Sequence, residues 1–168
     1  LVGSEMCIRD RIKGLRSYRG RDEATYLAGA LAEVRTELQS GDMEVKTEAV
    51  LKLAYLQMLG YEVRDAGFPI LETMASTRFH AKSTGYLAAA LCFTPDTDVL
   101  ILATNLIKKD LHSAAPLDVA AALTGLSHVI TQELAQHLAA DISLMLTHTR
   151  PAIRKRAVLV LYSAITKC

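Results

Sequence analysis

The chain has 168 residues, a formal net charge of +1, 51% hydrophobic residues and only 5% aromatic residues. A balance this close to neutral argues against a nucleic-acid reader, which normally carries a strongly basic domain. Tryptophan is absent and only four prolines interrupt the chain, so the composition favours an all-helical class over a sandwich or barrel.

Apolar residues recur at helical spacing along the chain and predict eight helices in one domain. Their predicted spans are 22–39, 43–59, 65–76, 80–93, 96–110, 115–129, 131–147 and 150–167. Asp42 and Thr131 are predicted N-caps, and Gly60 lies where the second helix should end. Pro69 falls early in the third span, so we expect that helix to start beside it or to bend there.

An internal period of 36 residues groups these helices into pairs. A small residue returns once per period, at Ala49, Gly85, Ala121 and Ala157. Aliphatic residues return in the same way at Val34, Ile70, Leu106 and Ile142. One helix pair cannot bury its apolar face alone, so a period of this length is typical of stacked repeats. We predict an all-α solenoid of about four helix pairs, in which the small residues let a neighbouring backbone approach closely.

The sequence offers little for catalysis. Its three cysteines, Cys7, Cys92 and Cys168, are far apart and form no CxxC pair, which indicates a reducing, cytosolic setting. The five histidines form no HExxH pair, and the phosphate-binding glycine motifs and the nucleophile elbow are missing. We therefore predict no enzyme activity, no metal site and no cofactor.

Two clusters of cations stand out from the balanced charge. The first comprises Lys13, Arg16, Arg19 and Arg21, and the second comprises Arg150, Arg154, Lys155 and Arg156. Such clusters are often only solvated helix ends, but they also attract anionic lipid at about 1 kcal/mol for each cation that reaches the surface. We predict an anionic membrane or partner contact at Lys13, Arg19, Arg21, Arg154, Lys155 and Arg156. Because no apolar run is long enough to cross a bilayer, any membrane contact would be peripheral.

Several motifs together resemble the N-terminal trunk of the large adaptins, the big subunits of heterotetrameric vesicle-coat adaptors. The resemblance runs from about residue 14 to residue 168 and is carried by residues 53–61, 85–88, 104–111 and 153–159. Within that family, the delta subunits of the third adaptor complex are similar in three further stretches, namely residues 55–61, residues 97–99 ahead of 104–105, and residues 123–127.

This resemblance implies an armadillo-like or HEAT-like helical trunk that is cytoplasmic and peripheral on Golgi and endosomal membranes. It implies assembly with sigma, beta and mu subunits, recruitment by an Arf-family GTPase, and vesicle-mediated sorting of cargo to the lysosome or vacuole. Nucleic acid is not among the implied partners. The alternative is a free-standing helical-repeat scaffold that binds an extended peptide without a sigma subunit.

Site residues can be carried over only where the motifs match. Arg16 falls where large adaptins that pair with sigma place an arginine that receives the acidic residue of dileucine sorting signals. The lipid-binding run at the start of the second trunk helix is reduced here to Lys46. We expect residues 1–11 to be a non-native or disordered leader and residues 12–168 to be the start of a longer trunk. The last helix should then expose Val158, Leu159 and Leu161.

Overall fold

The structure, a computed structural model, describes residues 10, 12–14, 17, 23–61, 63 and 66–167. Most of the expected leader, residues 1–9 and 11, therefore lies outside the described residues. The described residues form no strand, and residues 10, 12–14 and 17 among them are helical. The helices from residue 23 onward are α1 (Glu23–Leu38), α2 (Met43–Met58), α3 (Gly67–Met74), α4 (Phe79–Cys92), α5 (Leu100–Leu111), α6 (Pro116–Val129), α7 (Gln132–Met145) and α8 (Pro151–Lys167). Every predicted helix is present, with each end within four residues of its predicted position.

Local signals account for several of these ends. Asp42 accepts a hydrogen bond from the backbone N–H of Glu44 at 2.9 Å, and Thr131 accepts one from Leu134 at 3.3 Å, so both predicted N-caps are confirmed. Gly60 follows α2 with a φ of +92°, a left-handed conformation that glycine adopts without strain. Pro69 is the third residue of α3, where a missing N–H breaks no intrahelical bond.

Helix α5 begins four residues later than predicted, because the preceding segment folds as a turn. The backbone N–H of Thr94 donates to Thr97 Oγ1 at 2.8 Å, and the N–H of Thr97 donates to the Thr94 carbonyl at 3.0 Å. Threonine side chains offer the backbone partners that compete with those of a helix. The helix starts at Leu100, whose N–H still bonds the Thr97 carbonyl at 3.0 Å.

The helices stack in two layers around one core. Helices α2, α4, α6 and α8 lie side by side in one layer, and each is paired with the helix that precedes it in the chain. A single cluster of buried apolar side chains runs through the stack from Val34 on α1 to Val160 on α8. The predicted solenoid of four helix pairs is therefore confirmed.

The repeating unit is the helix hairpin, and the connections between hairpins vary in length. Each hairpin has two equivalent positions, one on each helix, that lie 15 residues apart. They are Val34 and Ala49, Ile70 and Gly85, Ile107 and Ala122, and Ile142 and Ala157. All eight residues are buried. The 36-residue spacing instead points in the third pair to Leu106 and Ala121, which are only half-buried. From one hairpin to the next, the equivalent buried positions are 21 residues apart from Ala49 to Ile70, 22 apart from Gly85 to Ile107 and 20 apart from Ala122 to Ile142, so the third hairpin is displaced by one position.

Gly85 allows the close approach that its place in the period predicts. A Cβ atom built at Gly85 would lie 2.5 Å from the backbone nitrogen of Met74 and 2.9 Å from its Cα. Real Cβ atoms essentially never come this close to backbone. Helices α3 and α4 therefore pack at a distance that only glycine permits.

The outer face of α8 is apolar and exposed. Val158 and Leu159 are 54% and 58% exposed, as predicted, whereas Leu161 is half-buried and packs against the core. The expectation for Leu161 was wrong because this side chain lies on the inner side of the helix. The sequence analysis missed Tyr162 and Ile165, which are 66% and 81% exposed.

Candidate interaction site

The three cations predicted on α8 point in different directions, because consecutive helical residues diverge by about 100°. Arg154 is half-buried and donates from Nη1 to the carbonyls of His148 and Thr149, at 2.8 and 3.1 Å. These contacts close the connection between α7 and α8. The Arg154 side chain is therefore directed toward this connection.

Arg156 and Lys155 face an open groove between α6 and α8. The groove has a volume of about 750 Å³ and is lined by Leu123, Thr124, Ser127, His128, Pro151, Ala152, Lys155, Arg156 and Leu159. Arg156 is half-buried and donates from Nε to Thr124 Oγ1 and from Nη1 to the Ala152 carbonyl, both at 3.2 Å. Lys155 is exposed at the rim. The groove joins two cations to an apolar wall and contains no carboxylate in its lining.

The first predicted cluster is described at only one position. Lys13 is exposed, whereas Arg16, Arg19 and Arg21 lie outside the described residues. The structure brings no described residue of this cluster to the groove. Their assignments as cargo, membrane or partner contacts therefore stay predictions.

A buried polar cluster joins α4, α5 and α6, and the sequence analysis did not find it. Lys82 Nζ donates to Asp110 Oδ1 at 2.6 Å and to Asp118 Oδ2 at 3.2 Å. The Tyr86 hydroxyl donates to the second oxygen of Asp110 at 2.8 Å. Lys82 is 7% exposed and Asp110 is 2% exposed, so both charges lie in the core. The cluster ties the second helix pair to the third.

Burial and charge shift the pKa values in this cluster. Burial by itself lowers the pKa of Lys82, but hydrogen bonds and charge attraction from Asp110 and Asp118 outweigh it and raise the pKa above the ordinary lysine value of 10.5. Burial, together with the negative charge of Asp110, raises the pKa of Tyr86. Lysine therefore remains charged and tyrosine neutral at physiological pH, which suits a structural role.

Cys92 is the cysteine that the structure describes. Burial raises the pKa of the Cys92 thiol to about 11, which keeps it largely in the unreactive thiol form near neutral pH. In the part of the chain that the structure describes, no group of three or more His, Cys, Asp or Glu side chains could hold a metal ion. None of the helices searched there is long and apolar enough to cross a membrane.

The family model described as the adaptin N terminal region matches residues 23–167. The chain belongs to this adaptin family. The match begins at the first residue of α1 and ends at the last residue of α8, so it covers all four helix pairs. The resemblance inferred from motifs is thereby confirmed by a model that spans most of the chain.

Two similar proteins are delta subunits of AP-3 complexes. It is 46% identical over 160 residues to AP-3 complex subunit delta-1 of Bos taurus, covering 95% of this chain and 13% of that protein. It is 48% identical over 158 residues to AP-3 complex subunit delta of Schizosaccharomyces pombe, covering 94% of this chain and 19% of that protein. The chain thus spans less than a fifth of the length of either relative.

The fold is similar to that of a chain in an AP-3 complex. The structure described as a homology model of the full-length AP-3 complex in an intermediate open conformation is similar with a TM-score of 0.68 and 45% identity. The similarity covers 76% of this chain and 23% of the matching chain. The adaptin resemblance and its delta subgroup, both inferred from motifs, agree with the family match and with these relatives.

Proposed function

We propose that this chain is the N-terminal part of the trunk of a delta-type large subunit in a vesicle-coat adaptor. The observation that carries the proposal is the identity of 46–48% to AP-3 delta subunits over at least 94% of the chain. The role is assembly and cargo selection, without catalysis, in the transport of proteins from the Golgi and endosomes to the lysosome or vacuole. The chain would act in the cytoplasm and on the surface of those membranes.

The proposed partners are the sigma, beta and mu adaptor subunits, an Arf-family GTPase and acidic dileucine cargo tails. The similarity to a chain of an AP-3 complex supports the proposal that other adaptor subunits are partners of this chain. A stack of helix pairs also offers the extended surfaces on which repeat proteins bind their partners. Contact with an anionic membrane or with a partner protein would involve Lys13, Arg19, Arg21, Lys155 and Arg156, while the Nη1 group of Arg154 bonds two backbone carbonyls within the fold.

Co-expression with a sigma subunit tests the assembly. We expect the tagged chain to co-purify with the sigma subunit of an AP-3-type adaptor in a 1:1 complex, and to recover less of an AP-1-type sigma subunit as control. Size-exclusion chromatography with mass determination measures the stoichiometry. A folded chain that retains neither sigma subunit would favour the alternative, a free-standing helical-repeat scaffold.

Substitution of Arg16 tests cargo binding in that complex. Arg16→Glu should weaken the binding of an acidic dileucine peptide by about fivefold or more, because the peptide carboxylate would face a glutamate of like charge in place of its cationic partner. Isothermal titration measures the affinity. Arg35→Glu, a charge reversal at an exposed position on α1, is the matched control and should change little. Equal affinities for the two variants would remove the assignment of Arg16.

A further inference from the structure

The two cations of the groove between α6 and α8 differ from lysines whose charge is already paired with a carboxylate in the fold. Lys52 bonds both oxygens of Glu37 at 2.7 Å, and Lys82 lies 2.6 Å from Asp110. Among the described residues, no carboxylate lies within salt-bridge distance of Lys155 or Arg156. Their charge is therefore available to a ligand.

Arg156 is already oriented for such a ligand. Its Nε and Nη1 groups are held by the Thr124 hydroxyl and the Ala152 carbonyl, and both of these acceptors are neutral. These contacts fix the guanidinium across the groove and leave further N–H donors of its planar fork unused. Binding a carboxylate there would therefore cost less conformational entropy of the Arg156 side chain than binding one at an unrestrained arginine.

The rest of the groove adds positive potential and an apolar wall. Pro151 and Ala152 form the first turn of α8, where the helix dipole favours an anion. Lys167, whose Nζ donates to the His128 carbonyl at 2.7 Å, adds a third cation toward the opposite end. Leu159 is 58% exposed on the groove wall, above the buried Leu123.

We propose that the groove between α6 and α8 binds an extended acidic peptide segment of a partner protein. The peptide carboxylates would pair with Lys155 and Arg156, and an adjacent apolar side chain would lie against Leu159. The proposal concerns residues far along the chain from Arg16. It rests on the charges and shape of this groove and does not require the proposed role in a coat.

A peptide fits these features better than a lipid surface. Arg156 is half-buried between two helices, whereas a bilayer offers its anionic groups in a plane to protruding side chains. Arg154, which could have enlarged a flat basic patch, is turned toward the connection between α7 and α8. An extended chain can lie along the groove and reach both the Arg156 guanidinium, which Thr124 and Ala152 hold in place, and Lys155 at the rim.

Fluorescence polarisation with a labelled peptide of alternating glutamate and leucine tests the proposal on the full chain, after circular dichroism has verified its helix content. We expect saturable binding that the Lys155→Glu, Arg156→Glu double variant weakens about tenfold or more, since two attractions become repulsions. Lys109→Glu, at an exposed position on α5, should leave the affinity unchanged. Leu159→Ser should weaken binding, whereas Leu144→Ser, at a similarly exposed leucine on α7, should not.

Three results would overturn the inference: no saturable binding of this peptide, equal binding by the double variant and the Lys109→Glu control, or equal binding of a peptide with lysine in place of glutamate. Phosphatidylserine vesicles provide the membrane arm. Vesicle binding that depends on Lys155 and Arg156, without peptide binding, would assign the groove to lipid and contradict the proposal. Because the assay uses the chain alone, its failure leaves the sigma co-purification result unaffected.

Discussion

Asp110→Leu is expected to lower the free energy of unfolding by about 3–5 kcal/mol, because it leaves the buried ammonium of Lys82 without its closest counter-charge. The Tyr86 hydroxyl loses its acceptor in the same change. Asp118 can compensate only in part, since it lies at 3.2 Å and its side chain is 21% exposed. Urea unfolding followed by circular dichroism measures the loss, which is large for a domain whose total stability is about 5–15 kcal/mol.

A double variant separates the loss of the ion pair from a simple packing defect. Lys82→Met combined with Asp110→Leu replaces both charges by apolar groups and should recover most of the stability, because a buried pair and a well-packed apolar pair are often similar in energy. Asp96→Leu, at an exposed carboxylate in the loop before α5, is the control and should change stability by no more than about 0.5 kcal/mol. A double variant as unstable as Asp110→Leu would contradict the role of the unpaired charge.

The pH dependence of stability reports on the same cluster. The folded pKa of Lys82 is raised, so its contribution is fully present below the unfolded value of 10.5 and is lost as the pH rises through the folded value. Tyr86 acts in the same direction, because the folded state keeps a proton that an unfolded tyrosine releases from about pH 10. Stability should therefore fall above about pH 10, and less steeply in the double variant.

Gly85→Ala is expected to destabilise the fold by about 1–3 kcal/mol, although alanine is the better helix former by about 1 kcal/mol. The added methyl group would lie 2.5 Å from the backbone nitrogen of Met74, so helices α3 and α4 would have to separate. The Met74 backbone cannot rotate away from the added methyl group, as the end of a flexible side chain could. The change in the urea midpoint at constant slope measures the effect.

Gly29→Ala provides a matched substitution in the same kind of helix. Gly29 lies inside α1, and nothing comes within 4 Å of a Cβ built there. Helix propensity then acts alone, and alanine should stabilise the chain by up to about 1 kcal/mol. If the two substitutions changed stability in the same direction, the close approach at Gly85 would not be the reason for glycine in the repeat.

The sequence separation between interacting residues explains which features could be predicted from the sequence. The caps at Asp42 and Thr131 join residues two or three positions apart, so the sequence displays them directly. The Lys82 contacts join residues 28 and 36 positions apart, and no local pattern distinguishes that lysine from a solvated one. The cation cluster on α8 was visible as a cluster, but its division between a structural Arg154 and a groove-facing Lys155 and Arg156 was not.

The sequence by itself determined the helices, their pairing, the repeat and the adaptin resemblance, because helical periodicity and caps depend on neighbours within a few positions. Only the tertiary structure decided the displacement of the third hairpin, the buried charge cluster and the formation of a groove between α6 and α8. These features depend on how connections of different length place one hairpin on the next. Their physical cause is contact between side chains that are distant in the chain.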